Sequence, residues 1–434
     1  MSRLFSILAG AVIAAAFLGP GTVTTAASAG ASQGLRLLWA LLFATAACYV
    51  LQEAAARLTI ASGESLGAAL RRRYRGPAGL ATLALVVGGV ILGCAAYEAG
   101  NILGGVAGAA LAIDLSPRAL TMASGALALV LLGAGSTRVV TAVLGALVAT
   151  MGVAFLVTAV SLAPAVGELA RGLAVPSVPA GSGLLILGLV GTTVVPYNLF
   201  LGSGLARGQS LRETRLGLAL AIGLGGLVSM AVVVAGTAVA GPFSFDALAG
   251  VLAERLGPWA VDFFGWGLFA AGFSSAVTAP LAAALTARGL FSAGDQADSD
   301  DGWGDRGWRF RAVWLGVLAA GVAFGLSGVR PVPVILAAQA LNGLLLPMIA
   351  AFLFVAVNDR ATMGGQVNGR GANAAMGLVL AVATLLGVRG VLRAAASVTG
   401  QAAFAEAGPI FITAAVALAA LVFWIRGQLR SSRS

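Results

Sequence analysis

Hydrophobic positions in this chain do not alternate with polar ones; they run in long blocks separated by short polar connections. Apolar runs of roughly 18 residues or more have the length that crosses a hydrocarbon core as a helix. About twelve of them occur, centred near Ala15, Ala46, Ile91, Ala126, Val153, Thr193, Val232, Ala271, Ala319, Leu346, Leu380 and Ala417. The first, Ser6 to Ala27, is too long for a signal-peptide core and lacks a convincing cleavage pattern, so it reads as a retained span. The pattern predicts an all-α, polytopic membrane protein built as a single transmembrane domain.

Two of the predicted helices are interrupted at mid-span. The first carries "GPGT" (Gly19, Pro20, Gly21, Thr22) and the sixth carries "GTTVVPYNLFLGSGL" around Pro196. Proline removes a backbone donor and clashes with the preceding turn, and glycine lowers the cost of unwinding, so each span should split into two half-helices. Breaks in the first and sixth spans at like depth suggest two five-span repeats of opposite orientation, about 6–165 and 182–358, followed by two extra helices at about 371–427. Irregular backbone at membrane depth is tolerated where it lines a cavity, and paired breaks of this kind point to a midplane binding site.

Composition agrees: 59% of the 434 residues are hydrophobic, 10% are charged, and the mean hydropathy is +0.98. The net charge of +10 does not indicate nucleic acid. Every basic residue is arginine, and most of them, including the run Arg71, Arg72, Arg73 and Arg75, fall in alternate loops. That asymmetry is the positive-inside signal and puts both termini in the cytoplasm of a bacterial-type plasma membrane. The two cysteines, Cys48 and Cys94, lie inside apolar runs and read as small buried hydrophobes. The stretch "SAGDQADSDDGWGDRGWRFR", 292–311, reads as a solvated cytoplasmic loop. With no histidine and few intramembrane acids, hydrolytic or redox machinery has no candidate residues, and no cofactor is expected.

Several blocks in order resemble the Nramp family of proton-coupled divalent-metal transporters. "GPGT" through "LRLLWALLFATAACYVLQEAAARLTIASGESL" is similar to its first and second spans, and "GTTVVPYNLFLGSGL" to its sixth. "FDALAGVLAERLG" with "LFAAGFSSAVTAPLAAALTARGLF" resembles its seventh loop and eighth span, and "AAQALNGLLLP" its tenth. The resemblance implies a LeuT-type fold with helices 1 and 6 broken. It fails at the metal site. Where the family reads DPGN, the metal-binding Asp falls on Gly19 and the Asn on Thr22. Where it reads MPH, the residues are Val195, Pro196 and Tyr197, and a second His becomes Gly202. The Asp and Glu of the third span fall on Glu98 and Asn101. Gln339 is kept, with Asn342 one turn beyond.

A dehydrated Mn²⁺ or Fe²⁺ needs nitrogen, sulfur or carboxylate donors, and Gly19, Thr22, Val195, Tyr197 and Gln339 supply none. Two half-helices should start at the breaks, from about Thr22 and about Asn198, each presenting free N–H groups and a partial positive charge. Without the aspartate the gap becomes neutral to positive, and Thr193, Tyr197 and Asn198 add neutral donors. The expectation is a small anion, bicarbonate first, carried by alternating access with a co-transported cation, Na⁺ or H⁺. For that ion the weaker candidates are Ser274, Ser275 and Thr278 on the eighth span, and Glu98, an acid inside the membrane. Glu53 and Arg57, four apart, read as a helix-end ion pair. The rivals are a Mg²⁺- or Mn²⁺-type carrier holding a largely hydrated dication through Gln339, Asn342 and Thr22, a carrier of a neutral solute, and a transport-inactive sensor. The chain is expected to act as a monomer in the lipid bilayer.

Overall fold

The computed structural model describes residues 18–74, 76–134, 138–292, 302–399 and 407–431. Those residues form helices joined by short turns. In order they are α1 (Pro20–Gln33), a 3₁₀ turn (Gly34–Leu37), α2 (Leu38–Ser62), α3 (Leu66–Arg73), α4 (Gly76–Ala112), α5 (Pro117–Ala134), α6 (Arg138–Ser161), α7 (Val166–Ala174) and α8 (Gly183–Thr193). The second half runs α9 (Pro196–Leu205), α10 (Leu211–Gly236), α11 (Phe245–Leu256), α12 (Trp259–Phe291), α13 (Trp308–Leu326), α14 (Pro331–Asn358), α15 (Arg360–Met363), α16 (Arg370–Thr399) and α17 (Ala407–Ser431). Among the described residues, nine helical runs are long and apolar enough to cross a membrane, with Pro20–Ser62 counted as one. Nine of the twelve predicted centres lie one on each of these runs, and Ala126 and Ala417 lie on the shorter apolar stretches Pro117–Gly133 and Ile412–Gln428. Ala15, with the half-span before Gly19 and residues 293–301 of the polar loop, lies outside the described residues.

With lipid around it, such a bundle gains little from hydrophobic burial between helices and associates through close packing of small residues. The most extensive contact, between α4 and α12, is made that way. The backbones of Gly105 and Gly272 meet directly, and a Cβ at Gly108 would come within 2.8 Å of the Gly265 carbonyl oxygen. One helical repeat away, a Cβ at Gly104 would collide with the ring of Pro20, so α4 also presses on the start of α1. Crossing α1 and α10 rests on the same device at Gly30 and Gly236, where each glycine faces the other helix's backbone.

Polar residues close the end of the bundle where the arginines concentrate. Arg57, buried on α2, donates to Glu53 (3.0 Å), to the Gln366 carbonyl (2.6 Å) and to the side chain of Asn368 (2.5 Å). Glu53 also accepts from Arg215 of α10 at 2.7 Å. The ion pair read from the sequence is therefore present, and it is one part of a larger knot tying α2, α10 and the segment before α16. Both cysteines are buried and free.

Candidate functional site

The sixth span breaks as predicted, with α8 ending at Thr193 and α9 starting at Pro196, while of the first span only the half that starts at Pro20 falls among the described residues; the form of both starts follows from proline chemistry. Proline's fixed φ and missing N–H suit the first helical position, so the half-helices begin on Pro20 and Pro196 themselves. The sequence had placed these starts two residues later, near Thr22 and Asn198. Neither start has a side-chain cap: Gly19 and Val195 precede them in extended conformation. The amides of Gly21 and Tyr197, first after each proline, precede the first intrahelical bonds and point out of the helix ends.

These two helix starts are brought together. Thr22 of α1 and Thr192 at the end of α8 share a hydrogen bond of 2.9 Å across the gap, and both are buried. Gln339 of α14 lays its side-chain amide on Gly21, so closely that a Cβ there would overlap it. The same side chain runs along Gly188, and the Gln339 carbonyl presses on Gly191, which explains the glycines on that face of α8. Gln339 Oε1, Asn342 Nδ2, Thr24 Oγ1 and Thr25 Oγ1 are buried without a protein hydrogen-bond partner among the described residues. Such groups cost about 1–3 kcal/mol each when left unpaired, so Gln339 Oε1, on the side chain that lies against Gly21, marks a place suited to a polar guest.

One residue here was missed in the sequence. Tyr97 of α4 packs edge-to-face on Tyr197, with ring centroids 5.6 Å apart, and the two phenols share a hydrogen bond. A Cβ on residue 19 would sit 3.3 Å from the Tyr97 hydroxyl and 3.7 Å from Ser275 Oγ. The space into which an aspartate at position 19 would project is therefore bordered by a phenol and a serine. Tyr97 stands next to Glu98 in an apolar run, and no spacing rule distinguishes it from a packing aromatic.

The remaining candidates separate. Thr193 spends its hydroxyl on the Leu189 carbonyl (2.8 Å), one turn back on its own helix. Asn198 is half-buried, its amide bonded to the Val195 carbonyl at 3.1 Å. Ser275 faces the break, whereas Ser274 and Thr278 bond to carbonyls of their own helix, those of Ala271 and Ser274. Glu98 is fully buried, but its Cγ lies against Gly321 of α13. Its Oε2 accepts a long bond from Asn101 (3.4 Å) and its Oε1 has no partner. The structure thus gathers Gly19, Pro20, Gly21, Thr22, Val195, Pro196, Tyr197, Gln339 and Ser275 at one place and leaves Glu98 beside it. Among the described residues no group of three or more His, Cys, Asp or Glu side chains could hold a metal ion.

A helical membrane protein whose sixth span is broken at a proline, beside another half-helix that also starts uncapped on a proline, has the architecture of the LeuT-type transporters. The solved structures it resembles are of that kind. A mutant of the manganese transporter of Eremococcus coleocola matches with a TM-score of 0.71 at 20% identity, over 98% of this chain and 94% of that one. Mhp1, a nucleobase-cation-symport-1 family transporter in a closed conformation with bromovinylhydantoin bound, matches with a TM-score of 0.54 at 16% identity, over 99% and 92%. The chain belongs to the Nramp family (natural resistance-associated macrophage protein-like), whose profile matches residues 10–393. Among its relatives is the divalent metal cation transporter MntH of Acidiphilium cryptum, 30% identical over 413 residues, or 89% of this chain and 91% of that protein. Another is MntH of Pectobacterium carotovorum, 27% identical over 383 residues, or 84% and 89%.

Proposed function

We propose that this protein is a secondary transporter that carries a small inorganic ion by alternating access through the gap between α1 and α9. It would lie in a bacterial-type plasma membrane with both termini cytoplasmic. The observation that carries this reading is the meeting of two uncapped helix starts with buried, unpartnered amide and hydroxyl groups, in a chain of the Nramp family.

Two cargo classes compete, and kinship and geometry pull apart. Kinship favours a divalent cation, since the relatives are named as divalent metal cation and manganese transporters. In this chain a dication would have to keep most of its water and be held through the oxygens of Thr22, Gln339 and Asn342, as among the described residues no carboxylate or imidazole stands in the gap. The donor set favours a small anion, bicarbonate first. Two helix starts offer N–H groups, the Tyr97–Tyr197 and Thr22–Thr192 pairs each keep one hydroxyl hydrogen beyond their mutual bond, and among the described residues nothing nearby supplies a fixed negative charge except Glu98, which faces α13. On this chemistry we take the anion as the reading of the geometry, with Na⁺ or H⁺ as the coupling ion, Ser275 the best-placed hydroxyl for Na⁺ and Glu98 the acid for H⁺.

Purified protein in proteoliposomes with an internal pH dye decides the matter. Bicarbonate, chloride, Mn²⁺ and Mg²⁺ are offered in turn, with and without Na⁺ and H⁺ gradients. The anion reading expects saturable bicarbonate uptake and none of either metal, and it expects the paired change Gly19→Asp and Tyr197→His to reduce it. Saturable Mn²⁺ or Mg²⁺ uptake gives the site to the divalent cation. Turnover of no ion at all would overturn the transporter reading.

A further inference from the structure

Far from the break, a groove of about 610 Å³ opens between α2, α7 and α16. Its walls are apolar: Trp39 and Phe43 come from α2, Val382 and Leu386 from α16, and Ile410 from α17. The Trp39 indole N–H is fixed on the Ser177 carbonyl at 2.9 Å, which leaves the ring as part of the wall. At the rim stand Arg389 and Arg393, one helical turn apart on α16.

These two arginines lack what buried or half-buried arginines normally have. Neither forms an ion pair with a described acidic residue, and Arg389 Nε is buried without a hydrogen-bond partner. Being neighbours at i and i+4, they also repel each other. The Arg393 guanidinium reaches over the start of α8, where a Cβ on Gly183 would lie 3.5 Å from Nη1, so the partial positive charge of that helix start stands beside it and gives it no compensation. On the orientation read from the arginine distribution, this end of the bundle faces outward, opposite the side where arginine is concentrated. Two guanidinium groups without acidic partners at the mouth of an apolar groove call for one kind of guest: a phosphate with hydrocarbon attached. Apolar walls suit acyl chains, and the guanidinium fork matches phosphate oxygens.

We infer that the groove binds an anionic phospholipid of the outer leaflet, with its phosphate between Arg389 and Arg393 and its acyl chains against Phe43, Val382 and Leu386. Native mass spectrometry of the delipidated full-length protein tests this, with phosphatidylglycerol and phosphatidylcholine of identical chains offered at equal concentration. Wild type should retain phosphatidylglycerol in preference by on the order of tenfold, from two surface-level cationic groups. The double variant Arg389→Gln, Arg393→Gln should bring the ratio close to one. Leu386→Trp, which fills the groove and keeps both charges, should lose both lipids. Excess inorganic phosphate should leave bound phosphatidylglycerol in place. Equal retention by wild type, an unchanged preference in the double variant, or displacement by inorganic phosphate would each overturn the assignment. Should the glutamine variant not elute as a single species, Leu386→Trp decides alone, and undiminished phosphatidylglycerol binding by it refutes the groove.

Discussion

Gly21 and Gly191 both face Gln339, and they do so through different parts of it. At Gly21 a methyl group would lie 2.6 Å from Gln339 Cδ, about 1 Å inside the optimal separation of two carbons. At Gly191 it would meet the Gln339 backbone carbonyl. Gly21→Ala should therefore destabilise the protein by about 1–3 kcal/mol, the usual cost of overpacking, less about 0.5–1 kcal/mol from the better helix propensity of alanine. Gln339→Ala removes the obstructing amide together with the unpartnered Oε1, so in that background Gly21→Ala should cost nothing or stabilise slightly. Gly191→Ala should cost as much with Gln339→Ala as without it, because truncating the side chain leaves the carbonyl where it was. Unfolding in mixed SDS micelles, followed by tryptophan fluorescence, gives both cycles. A coupling energy below about 0.5 kcal/mol for Gly21 with Gln339 would refute the placement of Gln339 on α1, as would equal coupling for Gly191.

Two further outcomes follow from other contacts. Arg57→Ala should destabilise by clearly more than Arg215→Ala, because Arg57 is buried and holds three partners, whereas the exposed Arg215 contributes about 0–1 kcal/mol; the same unfolding assay reads the difference, and equal losses would contradict the geometry. Glu98→Gln preserves size and the Asn101 contact, so it should leave folding intact while flattening the dependence of uptake on external pH; a pH profile identical to wild type would remove Glu98 from coupling.

The fold was largely legible in the sequence because a bilayer allows few solutions. Span length fixed the helices, and Pro20 and Pro196 fixed the breaks. What could not be read was orientation around each helix axis. Ser274, Ser275 and Thr278 look equivalent as letters, yet a helical turn points Ser275 at the break and the other two into their own backbone. Glu98 and Tyr97 are adjacent in the chain, and the roughly 100° between neighbours on a helix puts the phenol at the gap and the carboxyl against α13. Periodicity carries no such information in a segment apolar on every side. The arginines on α16 show the same limit, for they counted only toward topology until α2 and α8 were seen beside them.

The glycine seam between α4 and α12 has a mechanical consequence. Where two main chains touch with no side chains between them, sliding by even a fraction of a turn would drive carbonyls into one another, and no rotamer change can absorb the collision. That pair is a keel: it has no slack along its length. Any rocking that exposes the gap first to one face of the membrane and then to the other has to be taken up by the short half-helices hung beside it, whose ends at Pro20 and Pro196 are already free of the preceding turn.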